Sequence, residues 1–166
     1  MCGFIQGMSR VNHQDLGQLN GPIVLFGGPY SNLQALEALF ERARALGVGP
    51  ERMICTGDVV AYCADAYAVS ERMRQAPDII SFVNAGKRYA VIHGGHHDIA
   101  RFIWPVSSEA VFDEEWQAVE RSIGPIDKII AGHCGVPFER QTPRGAWINA
   151  GVIGMPPNDG APQTRF

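Results

Sequence analysis

The sequence predicts an α/β fold built on mixed β-sheets. Three observations lead there: short apolar runs alternate with helix-patterned segments over the first half of the chain, two further runs after Pro77 flank a Gly-containing turn, and a helix-then-strand unit followed by a second hairpin closes the pattern. The 166 residues suit one domain of ordinary size. With 46% hydrophobic and 19% charged residues the chain can bury a core, which excludes global disorder.

Residues 1–20 are polar, lack apolar periodicity and read as a loose arm, leaving 21–166 as the domain. The run Pro-Ile-Val-Leu-Phe at 22–26 is strand-sized and is stopped by Gly27-Gly28-Pro29. A helix follows, with Asn32 placed to cap it and Leu33, Leu36, Phe40 and Ala43 at helical spacing before Gly47 and Gly49-Pro50. Residues 52–56 form a second buried strand, and 64–75 a weaker helix. Such a strand-helix-strand order implies a right-handed crossover between parallel strands. Beyond Pro77, residues 79–83 and 87–93 read as a hairpin around the three-residue turn Asn84-Ala85-Gly86. A helix bearing Val111 or Phe112, Trp116, Val119 and Ile123 on one face, capped by Ser107 or Ser108, leads to a strand at 128–131. The last hairpin pairs 138–141 with 146–149 around Pro143-Arg144-Gly145.

Charge and hydropathy narrow the function. A net charge of −3 with scattered Lys and Arg provides no basic stripe for nucleic-acid phosphates. The longest apolar runs fall far short of the ~20 residues of a membrane span, and the N-terminal residues lack the pattern of a secretory signal. A cytoplasmic protein is therefore expected, with the cysteines at 2, 55, 63 and 134 acting as small buried hydrophobes rather than ligands or disulfides.

Three chemically loaded residues follow buried strands and adjoin glycine: Gly57-Asp58, His93-Gly94-Gly95 and Gly132-His133. In open α/β sheets side chains from separate strands converge beyond the carboxyl ends. One carboxylate and two imidazoles suit a divalent transition metal such as Mn, Fe or Zn. Each residue alone also suits a structural role, Asp58 as a cap or turn residue and the histidines as satisfied strand-end groups; it is the repeated context that favours a site. His96, His97 and Asp98 read as the polar start of a helix. Arg88 and Arg101 are candidates for pairing with a phosphate, against the commoner fate of a surface Arg. Trp104-Pro105 and Trp147 read as core or rim packing.

In order and context these blocks resemble the calcineurin-like metallophosphoesterases, especially their small bacterial phosphodiesterase branch. Ser31-Asn32-Leu33-Gln34-Ala35-Leu36 matches the family's first helix start, Thr56-Gly57-Asp58-Val59 its Gly-Asp block, and Val91-Ile92-His93-Gly94 its strand ending in His-Gly. Ala131-Gly132-His133-Cys134-Gly135 matches its Gly-His-x-His block, and Asn149-Ala150-Gly151-Val152-Ile153-Gly154-Met155-Pro156 with Asn158-Asp159-Gly160 its closing turn. The resemblance covers about residues 21–166. It implies a shortened α/β/β/α sandwich, metal-dependent hydrolysis of a phosphomonoester or phosphodiester, and a phosphorylated small molecule or nucleotide as substrate.

The departures qualify that implication. Where the family has the Asp and His of its first motif this chain has Gly28 and Tyr30, and where it has its final His this chain has Gly135. All three serve one of the family's two metals. For the other, Asp58, His93 and His133 remain, while the Gly-Asn-His block that supplies its fourth ligand and the acid histidine is skipped between Gln75 and Ile79. The resemblance therefore implies one ion or none, and an impaired phosphoesterase or an inactive binding or scaffolding module. Tyr30, Asn32 and Arg101 are candidates for phosphate contact or for supporting the ligands. Loss of a strand would also leave a sheet edge open, so self-association is expected.

Overall fold

The computed structural model describes residues 11–73 and 77–155. Cys2, Pro156 and the Asn158-Asp159-Gly160 part of the closing block lie outside the described residues. In chain order the strands are β1 (His13–Gln18), β2 (Val24–Phe26), β3 (Met53–Cys55), β4 (Ile79–Asn84), β5 (Lys87–Val91), β6 (Lys128–Ala131), β7 (Phe138–Gln141) and β8 (Ala146–Asn149). The helices are α1 (Leu33–Ala45), α2 (Ala66–Arg72) and α3 (Glu109–Ile123), with a 3-10 turn at Pro50–Arg52. None of the described helices is long and apolar enough to cross a membrane.

A six-stranded mixed sheet runs in the order β1-β4-β5-β6-β8-β7, and β2 and β3 form a separate parallel pair. The period-two alternation of strand side chains sets the layers. In the small sheet Val24, Phe26, Met53 and Cys55 pack with Leu36 and Leu39 of α1 and Val69 of α2. The alternate residues Leu25 and Ile54 pack with Phe82, Val91 and Ile130 of the large sheet. On the opposite face of that sheet, Ile79, Ala90, Ile129 and Trp147 pack with Phe112, Trp116, Val119 and Ile123 of α3. Three apolar interfaces thus separate four layers in the order α/β/β/α, the sandwich expected above.

Local chemistry explains the element ends. The Asn32 side-chain oxygen accepts the Ala35 amide at 3.0 Å and caps α1. Ser108 occupies the N-cap position of α3 without a side-chain hydrogen bond, whereas Ser107 Oγ accepts the Trp104 amide at 2.9 Å. The β4–β5 turn is tighter than the three-residue loop expected: Asn84 pairs with Lys87, leaving Ala85 and Gly86 as a two-residue turn with φ of 49° and 72°. Two successive positive φ values match the right-handed twist of the flanking strands.

The loose-arm reading of residues 1–20 is corrected for 13–18, which form β1 in parallel with β4. Its polar sequence gives no strand signal because β1 is a sheet edge, where backbone pairing rather than apolar burial holds the chain; Leu16 alone packs inward. The strand register shifts between Asp15 and Gln18, where Asp15 Oδ1 accepts the Gly17 amide at 2.9 Å. An irregular polar edge resists addition of another strand. The helix-start reading of His96-His97-Asp98 is also corrected: these residues lie in the irregular segment between β5 and α3.

The end of β2 is bound to the segment after β8. Gly28 bridges Val152 in parallel, and the Ile153 amide donates to Gly28 O at 3.2 Å. A Cβ on Gly27 would lie 1.7 Å from Gly151 O, so no side chain fits where the two backbones meet.

Candidate metal centre

Asp58, His93 and His133 come together beyond the carboxyl ends of β3, β5 and β6, each within three residues of its strand. One potential ligand atom from each lies within 4.8 Å of the others. His93 Nε2 is 3.0 Å from His133 Nδ1 and 3.3 Å from Asp58 Oδ1, and His133 Nδ1 is 3.8 Å from Asp58 Oδ2. A tetrahedral ion with bonds of about 2.0–2.1 Å spaces its ligand atoms by roughly 3.3–3.4 Å. The cluster has that scale and can hold a metal ion.

The far side of each ring sharpens the case. His93 Nδ1 lies 2.7 Å from Thr56 O, and His133 Nε2 lies 3.0 Å from Ala100 O. A carbonyl only accepts, so each imidazole carries its proton on that outer nitrogen. The inner nitrogens then face one another and a carboxylate as lone pairs. Three electron-rich atoms gathered without a donor between them call for a cation, either one shared proton or a metal ion. Outer hydrogen bonds that fix the tautomer are also what orient histidine ligands in metal sites.

The surrounding loops are held under strain. Among the described residues, six non-glycine residues have positive φ: Ala85 lies in the hairpin turn, and Tyr30, Ser31, Asp58, Tyr62 and His133 lie in the loops around the cluster. Such conformations persist only where neighbours impose them. Here the Tyr30 amide donates to Asp58 O at 3.1 Å, the Ser31 amide to Val59 O at 3.0 Å, and the Ala61 amide to the buried Ser31 hydroxyl at 3.1 Å. Asn149 couples the other side, donating to Gly132 O at 2.6 Å and accepting the Gly151 amide at 2.9 Å. Gly57 leaves room for the histidine, since a Cβ there would meet His93 Nδ1 at 2.3 Å.

The remaining candidate residues divide. Tyr30 belongs to the centre, its hydroxyl donating to Asp58 Oδ2 at 3.2 Å. Asn32 does not offer itself to a phosphate: besides capping α1, its amide donates to Gly154 O at 3.0 Å. Arg101 is corrected as a phosphate contact. Its guanidinium pairs with buried Glu115 at 2.6 Å and Glu114 at 3.0 Å, and it lines a separate recess with His97 and Asp98. Arg88 donates to Pro125 O at 3.4 Å. Gly28 has no space for a ligand, because a Cβ there would lie 2.4 Å from Asp58 Cβ, whereas Gly135 lines the pocket.

That pocket, about 490 Å³, contains Tyr30, Asp58, His133, Gly135, Val152 and Met155, with Tyr62 and Phe102 among its other lining residues. Tyr62 and Phe102 were not distinguishable from packing aromatics by sequence pattern. The Thr56 and Ala100 carbonyls carry no side-chain signal at all. Glu115 has one: an acid on the buried face of α3, between Phe112 and Trp116.

Electrostatics follow the geometry. Burial opposes ionisation of Asp58, but the His93 hydrogen bond, the charges of His93 and His133 and the Tyr30 hydroxyl outweigh it and lower its pKa. Burial likewise disfavours the His93 imidazolium, yet bonding to Asp58 and the Thr56 carbonyl raises its pKa above the ordinary histidine value. In the metal-free protein the His93 contribution to stability is full below about pH 6.5, the unfolded value, and is lost as pH rises through the higher folded value. The Asp58 contribution is present above its ordinary value and is lost as pH falls through the lower folded one. Thermal melting in chelator should therefore show wild type losing stability relative to His93→Gln as pH rises from about 6.5; a constant difference would contradict the linkage.

No protein-family model matches the sequence, and no curated protein matches it. Among solved structures, a hypothetical protein from Pyrococcus horikoshii OT3 superposes with a TM-score of 0.59 at 12% identity, over 81% of this chain and 78% of that one. At that identity the likeness concerns the fold.

Proposed function

We propose that the protein is a metal-dependent phosphoesterase with a one-ion centre at Asp58, His93 and His133, acting on a phosphodiester. The observation that carries this reading is the convergence of two tautomer-fixed imidazoles and a carboxylate, with no donor between them among the described residues, at a pocket that Asp58 and His133 line. A divalent transition ion supplies Lewis acidity toward a phosphoryl oxygen and lowers the pKa of water. The protein's part is orientation: Thr56 and Ala100 hold the rings, and the Tyr30 hydroxyl holds the carboxylate. The resemblance in motif order supports the phosphoryl chemistry.

Charge favours a diester. Two neutral imidazoles and one carboxylate leave a divalent ion with net charge +1, which balances a monoanionic diester rather than a dianionic monoester. Among the described residues no Lys or Arg lines the pocket to neutralise more, and Arg101 is committed to Glu114 and Glu115. The Tyr30 phenol and Cys134 thiol are both held above their ordinary pKa by burial, so neither readily gives a proton to a departing alkoxide. Esters of acidic alcohols are thus the better substrates. The same observation favours a second reading, a protein that binds the ion and ligand without turning over.

Titration of chelator-treated protein with Mn²⁺, followed by assay with bis(4-nitrophenyl) phosphate and 4-nitrophenyl phosphate, tests the proposal. One equivalent of metal and metal-dependent cleavage of the diester in preference to the monoester is the expected result. Binding without cleavage selects the second reading, and no binding overturns both.

A further inference from the structure

We infer that Tyr62 and Phe102 form a subsite for a planar aromatic or heteroaromatic ring carried by the ester. The inference rests on the phosphoesterase reading and names the substrate class within it. Both side chains line the pocket that contains Asp58 and His133, and they reach it from separate loops, after β3 and β5 respectively. Both are exposed, Tyr62 by 85% and Phe102 by 53%, although burial would be the ordinary fate of such rings in a core.

Their placement is imposed. Tyr62 has φ of 47°, a conformation costly for a bulky residue, and its ring meets that of Tyr30 edge to face at 5.1 Å. Phe102 lies 4.3 Å from the His133 ring, centroid to centroid, and stacks on Trp104 at 5.4 Å with an interplanar angle of 6°. Trp104 is itself partly exposed. His133 therefore adjoins Phe102, and Tyr30 beside Asp58 adjoins Tyr62, so both aromatic rings are oriented by packing but not covered. A ring attached to a phosphoryl group at the centre would gain stacking there, and apolar Val152 and Met155 line the same pocket.

Calorimetric titration of Mn²⁺-loaded protein with three monoanionic diesters distinguishes the sources of the ring: diphenyl phosphate, adenylyl-(3′,5′)-adenosine and the ringless diethyl phosphate. Diphenyl phosphate, the dinucleotide or both should bind about tenfold more tightly than diethyl phosphate, as expected for one stacked ring. Preference for diphenyl phosphate alone marks an aryl ester, and preference for the dinucleotide marks a nucleobase. Tyr62→Leu and Phe102→Leu, which keep bulk and remove the ring face, should bring the ratio toward one while the metal stoichiometry stays at one. If wild type takes up metal but does not discriminate, or if both variants keep the discrimination, the ring subsite is wrong and the metal reading stands. If wild type takes up no metal, both fall.

Discussion

Asp58→Asn is expected to weaken Mn²⁺ binding by about a hundredfold or more and to reduce diester cleavage to background. Loss of groups that merely orient metal ligands costs about 10- to 100-fold in affinity, and among the described residues Asp58 supplies the only carboxylate in this cluster. Without its charge, the two imidazoles remain, but the compensating anion within 3.3 Å of His93 is gone. Asparagine is the informative replacement because Asp58 sits at φ of 51°, a conformation asparagine tolerates and alanine resists. It also keeps an oxygen that can accept the Tyr30 hydroxyl. A folded Asp58→Asn protein with unchanged metal affinity would remove Asp58 from the centre. Metal titration alongside circular dichroism separates this result from simple misfolding.

Gly27→Ala is expected to destabilise the protein by about 3 kcal/mol, lowering the melting temperature by about 6–12 °C for a chain of this size. The added Cβ would fall 1.7 Å from Gly151 O, 2.3 Å from Gly151 C and 2.8 Å from Val152 N. All three are backbone atoms, so a rotamer change cannot relieve the overlap. The segment after β8 must move, breaking the Gly28 to Val152 bridge and disturbing two pocket residues, Val152 and Met155. Urea denaturation with the metal removed isolates the folding effect. A change below about 0.5 kcal/mol, the range of ordinary surface substitutions, would mean that this crossing of backbones does not hold the sandwich.

Much of this arrangement was legible in residue order, for identifiable reasons. Buried parallel strands read as short continuous apolar runs, as at residues 129–131, and the glycines beside Asp58, His93 and His133 punctuate their ends. Asn32 was readable as a cap because capping is local. β1 was not, because an edge strand is specified by the backbone of its neighbour rather than by its own side chains. The pairing of Arg101 was not legible for a related reason. Its partners Glu114 and Glu115 lie across a loop, and pattern alone does not say which carboxylates a guanidinium will meet. The centre's three side chains announced themselves, whereas the carbonyls that decide their tautomers belong to the fold.

Asp58 follows a strand of the small sheet, whereas His93 and His133 follow strands of the large one. The cluster consequently measures the relative position of two layers whose facing side chains are apolar and whose backbones join at the Gly28 to Val152 bridge; apolar contacts tolerate sliding better than directional bonds do. A displacement of one sheet over the other by an ångström would pull the carboxylate out of reach of the imidazoles. A cation held between them would act as a rivet through the sandwich, and resistance to shear along that interface would become a property of the chemistry at its rim.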